Sequence, residues 1–144
     1  MALLSYRNYN TYAKTQAEQE ANKCDHYRAA SYQQYQGEKL VKRFNAYSYW
    51  YLSKAMDSQD LGRHRGGLEQ ALQQITIPTL VVGIPTDLLF PPHEQEAIAE
   101  HIPHSTYYEL DSFYGHDGFL IETKTLSLVI RKFLKQQQQQ LKAV

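Results

Sequence analysis

The sequence has little of several features that define whole classes of protein. It contains one cysteine, Cys24, which excludes a disulfide framework and a cysteine-based zinc site and fits a reducing cytoplasm. No run of about 18 apolar residues is present, so no transmembrane helix is expected. The apolar run after Met1 is too short for a signal peptide. Fifteen basic residues balance fifteen acidic ones, so the chain lacks the charge pattern of a nucleic-acid-binding protein.

Tyrosine is abundant and is concentrated in one half of the chain. Nine of the 12 tyrosines lie within the first 51 residues. Residues 5–37 contain almost no aliphatic side chains, so this stretch would make a poor hydrophobic core by itself. Its tyrosines are suited to a wet pocket or an interface, because each carries a polar tip. The sequence therefore predicts two structural regions, one polar and tyrosine-rich and one rich in Val, Ile and Leu.

Apolar periodicity predicts the secondary structure. One helix is expected over residues 38–57, after Gly37, and a short one over 68–74. The second half reads as strand, helix, strand, loop and helix. Its strands are expected at 79–84 and 105–110, its helices at 91–102 and around the stripe at 126–134, and its loop at 111–118. The glutamine run at 136–140 either continues the last helix or frays from it as a solvated tail.

The alternation of strands and helices predicts a parallel sheet with right-handed crossovers. Two strands alone do not make a stable open sheet. The first half of the chain is too polar to supply buried strands. The sequence thus predicts an α/β domain that lacks part of its sheet.

Two side chains suited to acyl transfer follow the two predicted strands. Asp87 comes after the first strand and His116 after the second. In parallel α/β sheets the functional residues lie at the carboxyl ends of the strands. A carboxylate there can accept the Nδ1 proton of a histidine and stabilise the imidazolium that forms during acyl transfer. Simpler interpretations stay open, since Asp87 could cap the next helix and His116 could be an ordinary loop histidine.

The nucleophile that would complete such a triad is missing. In α/β-hydrolases the triad residues follow one another in the chain as Ser, Asp and His, so Asp87 before His116 matches their order. Their serine lies in a Gly-x-Ser-x-Gly turn between a strand and a helix. The sequence contains no Gly-x-Ser-x-Gly. None of its eight serines stands in that context; they occupy positions 5, 31, 48, 53, 58, 105, 112 and 127.

Several long motifs resemble one enzyme family, the homoserine O-acetyltransferases, which have the α/β-hydrolase fold. The similarity runs in the family's order through nearly all of residues 1–134. The matching stretches are residues 4–7 (LSYR), 35–49 (YQGEKLVKRFNAYSY), 55–67 (AMDSQDLGRHRGG), 78–84 (PTLVVGI), 87–92 (DLLFPP) and 114–120 (YGHDGFL).

The resemblance implies a fold and a division of the chain. The expected fold class is α/β, namely the C-terminal portion of an α/β-hydrolase fold, with two parallel strands and helices, preceded by a helical lid region. Residues 1–67 would form the lid, 68–135 the C-terminal hydrolase segment and 136–144 a Gln-rich tail. In the family the early strands, the nucleophilic serine and the oxyanion-hole donors precede the matched region, so the chain is expected to be a C-terminal fragment.

The resemblance also assigns roles to four residues. Asp87 matches the acid and His116 the base of the triad. Asp117 matches the carboxylate that holds the amino group of the acceptor amino acid, and its simpler interpretation is a hydrated loop carboxylate. Tyr6 matches a tyrosine of the substrate pocket, and plain packing is the alternative.

The implied activity is acetyl transfer from acetyl-CoA to the hydroxyl of L-homoserine, a step of methionine biosynthesis. The enzyme is expected to be a cytoplasmic homodimer associating through the lid, with acetyl-CoA as a co-substrate. No metal, bound cofactor, nucleic acid or membrane is implied. The chain by itself is expected to be inactive. Alternatives are an inactive interaction or split-protein half, a serine O-acetyltransferase, or a homoserine O-succinyltransferase of the same family.

Overall fold

The computed structural model describes residues 4–142. Residues 1–3 of the predicted lid and 143–144 of the predicted Gln-rich tail lie outside the described residues. Within 4–142 the chain forms seven α-helices and two β-strands. In chain order they are α1 (Tyr9–Gln16), α2 (Arg28–Arg43), α3 (Ala46–Ser58), α4 (Leu68–Gln73), β1 (Thr79–Gly83), α5 (Pro92–His101), β2 (Ser105–Glu109), α6 (Gly118–Ile121) and α7 (Thr123–Lys142).

The predicted single helix over residues 38–57 is wrong, because the chain breaks there between α2 and α3. Phe44 is extended, with φ −125° and ψ 137°. The side chain of Asn45 accepts a hydrogen bond from the backbone N–H of Ser48 at 2.8 Å and so caps the start of α3. This capping bond satisfies an N–H that would otherwise lack a partner. Gly37, expected before the helix, lies inside α2.

The second half of the chain follows the predicted order of strands and helices. β1 and β2 run parallel, with Val81 opposite Tyr107, and α5 forms the crossover between them. The N–H of Leu110 extends the pairing by donating to the carbonyl of Gly83 at 2.8 Å. This register brings the two strand ends to the same edge of the sheet. In the described part of the chain these two strands form the whole sheet.

A small apolar core lies between this sheet and helices α4 and α5. Its members are buried aliphatic side chains; they are Ala71, Leu72, Val81, Ile84, Ala99, Ile102 and Leu110. Helices α2, α3 and α7 contribute no buried residue. Their apolar side chains are therefore open to contacts outside the described residues.

The C-terminal helix includes the glutamine run. α7 continues through residues 136–140, so the first of the two predicted alternatives is correct. The predicted boundaries after residues 67 and 135 stay predictions. None of the described helices combines the length and the apolar character needed to cross a membrane.

Candidate active site

Asp87 is a buried carboxylate in the loop that follows β1, with 7% of its surface exposed. Its Oδ1 accepts hydrogen bonds from the backbone N–H groups of Leu89 at 2.8 Å and Phe90 at 3.1 Å. Its Oδ2 lies 2.8 Å from Nδ1 of His116. One oxygen thus shapes the loop while the other holds the imidazole. Helix α5 begins after Pro91 without a side-chain cap, so Asp87 does not cap it.

His116 lies in a single 3₁₀ turn, Gly115–Asp117, after β2. Three aromatic rings surround the imidazole, with centroid distances of 5.8 Å to Tyr6, 5.2 Å to Phe90 and 5.4 Å to Phe119. When Nδ1 donates its proton to Asp87, Nε2 is the nitrogen that can accept and return a proton. The side chain is 25% exposed. The arrangement is that of a general base oriented by a carboxylate.

The two strand-end loops are joined by Thr86. Its hydroxyl donates to the carbonyl of Ser112 at 2.8 Å and accepts from the N–H of Gly115 at 3.0 Å. Gly115 has φ +64°, and a Cβ there would lie 2.8 Å from the backbone nitrogen of Asn8. Only glycine fits this position without strain. Thr86 therefore helps to set the distance between Asp87 and His116.

Asp117, the predicted amine ligand, is already paired with a cation. Its Oδ2 lies 2.9 Å from Nε of Arg7, and its backbone N–H donates to the carbonyl of Tyr6 at 3.0 Å. The hydrogen bond that Arg7 donates to Asp117 is the main cause that raises the pKa of Arg7 above its usual value. The buried hydroxyl of Thr11 adds a bond to the carbonyl of Phe113 at 2.8 Å. Tyr6, Arg7 and Thr11 of the predicted lid are thus bound to the His116 loop.

An apolar cavity of about 280 Å³ opens beside the Asp87–His116 pair. Its lining combines the two triad candidates with side chains from β1, the loop after it and helices α5 to α7. These residues are Val82, Ile84, Asp87, Phe90, Gln95, His116, Phe119 and Leu126. The cavity's mostly apolar walls would replace part of the water around a group bound next to His116.

The structure places the four predicted site residues in one cluster around His116. Their catalytic and binding roles stay predictions. Two further residues of the cluster, Arg7 and Thr86, were not singled out from the sequence. Arg7 lies in the LSYR stretch quoted above, but its distance from Asp117 in the sequence does not indicate that the two side chains form an ion pair. Within the described residues no group of His, Cys, Asp and Glu is arranged to hold a metal ion.

Several curated proteins similar to the chain carry the same name, homoserine O-acetyltransferase. The homoserine O-acetyltransferase of Cyclobacterium marinum is 48% identical over 133 residues, which are 92% of this chain and 38% of that protein. The enzyme of Chlorobaculum parvum is 42% identical over 136 residues, covering 94% and 38% of the two chains. This chain is a homologue of homoserine O-acetyltransferases. It spans about 38% of the length of these relatives, and the predicted similarity to homoserine O-acetyltransferases is confirmed.

Solved structures show the fold of this homoserine O-acetyltransferase homologue. The homoserine O-acetyltransferase of Bacillus anthracis superposes with a TM-score of 0.82 at 17% identity, over 92% of this chain and 38% of that one. Esterase E22 superposes with a TM-score of 0.74 at 23% identity, over 91% and 39%. The predicted α/β-hydrolase fold class is therefore confirmed. No protein-family model matches the chain.

Proposed function

We propose that this chain supplies the acid and base of a homoserine O-acetyltransferase active site. The observation that carries the proposal is the 2.8 Å contact between Asp87 Oδ2 and His116 Nδ1. It joins residues 29 positions apart in the chain and leaves Nε2 for proton transfer. The curated relatives' shared name supports the choice of reaction.

In the proposed reaction, a serine outside this sequence attacks the carbonyl carbon of acetyl-CoA. His116 Nε2 takes the serine proton and then donates it to the sulfur of the departing CoA, which leaves an acetyl-serine ester. Next, the hydroxyl of homoserine attacks this ester while His116 removes its proton. Collapse of the tetrahedral intermediate releases O-acetylhomoserine, and the proton returns to the serine. Asp87 stabilises the imidazolium at each stage.

Asp117 and Tyr6 would bind the acceptor next to this base. A carboxylate suits the ammonium group of an amino acid, and Asp117 directly follows His116. Tyr6 contacts the imidazole ring from the lid side. A carboxylate next to the base favours an amino-acid acceptor over the ester substrates of a simple esterase. The reaction needs acetyl-CoA as a co-substrate and no metal or bound cofactor.

The cellular setting is part of the proposal. The enzyme would act in the cytoplasm in methionine biosynthesis and would associate as a homodimer through the lid. The exposed aromatic side chains of α3 support such an interface; they are Tyr47, Tyr49, Trp50 and Tyr51. An inactive interaction half is the second candidate, because the sequence holds no Gly-x-Ser-x-Gly turn.

A fusion protein tests the proposed function. This chain would replace the matching 133 residues of the Cyclobacterium marinum enzyme, so that the relative supplies the rest of the fold. We expect CoA release and O-acetylhomoserine formation that depend on both substrates. His116→Ala should lower kcat by about 10⁶-fold, as removal of a triad base does, while His104→Ala on the surface should not. A folded fusion protein without acetyl transfer would favour the inactive interaction half.

A further inference from the structure

A second cavity, of about 300 Å³, lies between the lid helices and Tyr6. We call it the basic cavity; it is lined by Tyr6, Gln36, Lys39, Leu40, Arg43, Phe44 and Tyr49. Tyr6 is also the residue whose ring lies 5.8 Å from the His116 imidazole. The basic cavity therefore borders the candidate active site through one shared side chain.

Two cations in this cavity lack an acidic partner. Lys39 and Arg43 are four residues apart on α2, so they lie on the same face of the helix. Neither forms an ion pair within residues 4–142, and no carboxylate lines the cavity. Instead, Lys39 Nζ lies 5.7 Å from the ring centre of Tyr35, and Arg43 Cζ lies 5.7 Å from that of Phe44.

Helix electrostatics explain only one of these cations. Basic residues in the last turn of a helix are favoured by the helix dipole, and Arg43 occupies the last turn of α2. Lys39 lies one turn earlier, where this effect has faded. The two cations without acidic partners, set among aromatic side chains, form a surface suited to a negatively charged ligand.

We propose that the basic cavity binds the phosphate-bearing end of the CoA thioester donor. This inference rests on the proposed function, which requires such a donor at His116. The Arg43 guanidinium can bind a phosphate with two parallel hydrogen bonds, and the Lys39 ammonium adds a point charge. The faces of Phe44 and Tyr49 suit the adenine ring, since aromatic side chains stack on nucleobases. Tyr6 then separates the nucleotide end of the donor from its acyl end.

Binding of CoA and of pantetheine to the 144-residue chain tests the site without turnover. Pantetheine carries the same thiol arm but no phosphate. We expect CoA to bind at least about tenfold more tightly in calorimetry, and this preference to shrink as salt rises. The double variant Lys39→Gln/Arg43→Gln should lose the preference and keep the affinity for pantetheine.

A matched double variant removes the same number of charges from the lid helices. Lys42→Gln/Lys54→Gln alters α2 and α3 outside the basic cavity and should keep the preference for CoA. An equal loss in both double variants would overturn the proposal, because it would show attraction to any lid cation. Equal affinity of the unaltered chain for CoA and pantetheine would overturn it as well. Circular dichroism checks that each variant keeps its helices.

The fusion protein separates failure of this site from failure of the proposed function. There, Lys39→Gln/Arg43→Gln should raise the KM for acetyl-CoA about tenfold and leave kcat and the KM for homoserine unchanged. An active fusion protein with an unchanged KM for acetyl-CoA would refute the basic cavity alone. The opposite result is that the double variant of the 144-residue chain loses its preference for CoA while the unaltered fusion protein transfers no acetyl group. That result would refute the proposed function and leave the basic cavity supported.

Discussion

Arg7 and Asp117 are 110 positions apart in the chain and are joined by an ion pair of 2.9 Å between Nε and Oδ2. The same two segments are joined by the backbone bond from Asp117 N–H to Tyr6. The lid and the His116 loop are thus coupled through the residue that we expect to hold the acceptor amine. Arg7 would act as a positioning residue through its ion pair with Asp117.

Replacement of Arg7 should affect acceptor binding more than the chemical step. In the fusion protein we expect Arg7→Met to raise the KM for L-homoserine about tenfold, because a charged hydrogen bond contributes roughly 1.5 kcal/mol or more. The kcat and the KM for acetyl-CoA should stay nearly unchanged. Arg7→Lys should recover part of the loss, and Arg131→Met on α7 should cause none. A proportional fall in kcat with an unchanged KM for homoserine would contradict the positioning role.

Asp87→Asn should abolish most of the activity and leave the fold intact. The amide oxygen can still accept the N–H groups of Leu89 and Phe90, whereas the charge that stabilises the imidazolium is lost. We expect kcat in the fusion protein to fall by about 10⁴-fold, as in other triads. Asp111→Asn, an exposed carboxylate at the start of the His116 loop, serves as the control. Retention of more than a tenth of the activity in the Asp87 variant would exclude the triad role.

Two Gly→Ala substitutions should change stability in opposite directions. At Gly115 the backbone has φ +64° and a Cβ would approach Asn8 N to 2.8 Å, so alanine should lower the free energy of unfolding by about 1–3 kcal/mol. At Gly37, inside α2, no atom beyond the helix's own adjoining backbone lies within 4 Å of a new Cβ. Alanine there should raise the free energy of unfolding by about 0.5–1 kcal/mol. Urea midpoints measure both changes. An unchanged or raised midpoint in Gly115→Ala would contradict the loop geometry around His116, whereas a lowered midpoint in Gly37→Ala would contradict the environment described for Gly37.

The loop between α1 and α2 should respond to acid through Glu18. The Lys23 ammonium, followed by the backbone N–H of Arg28, lowers the pKa of this carboxyl from 4.5 to about 2. Because the folded pKa lies below the unfolded value, the contribution to stability is complete above pH 4.5 and is lost as the pH falls towards 2. A carboxyl-carbon NMR titration should place the Glu18 midpoint near 2.

The matching variants identify the cause of that shift. Lys23→Met removes the partner that lies 3.0 Å from Glu18 and should raise the midpoint towards the ordinary value. Lys14→Met on α1 removes an equal charge elsewhere in the predicted lid and should leave the Glu18 midpoint unchanged. Equal midpoints in the Lys23 variant and the parent chain would rule out the ion pair as the main cause.

Local patterns in the sequence were sufficient to predict the strands and helices of the second half of the chain. The short β-branched run at 79–84 is typical of a buried strand, and the apolar stripe at 126–134 is typical of an amphipathic helix. The break at Asn45 was missed because the apolar stripe continues across it from α2 into α3. A single capping bond to Ser48 outweighed that continuity, and periodicity does not register such a bond.

The sequence by itself determined the order of strands and helices in the second half of the chain. It placed Asp87 and His116 at successive strand ends, which parallel strands bring to one edge. It also carried the resemblance to homoserine O-acetyltransferases. Only the tertiary structure decided that Arg7 pairs with Asp117 and that Thr86 links the two loops. It also brought Lys39 and Arg43 into one cavity beside Tyr6. The Arg7 and Thr86 contacts join segments that are distant in the chain, and the cavity requires Tyr6 to lie beside α2. Residues so far apart leave no periodic signal in the sequence.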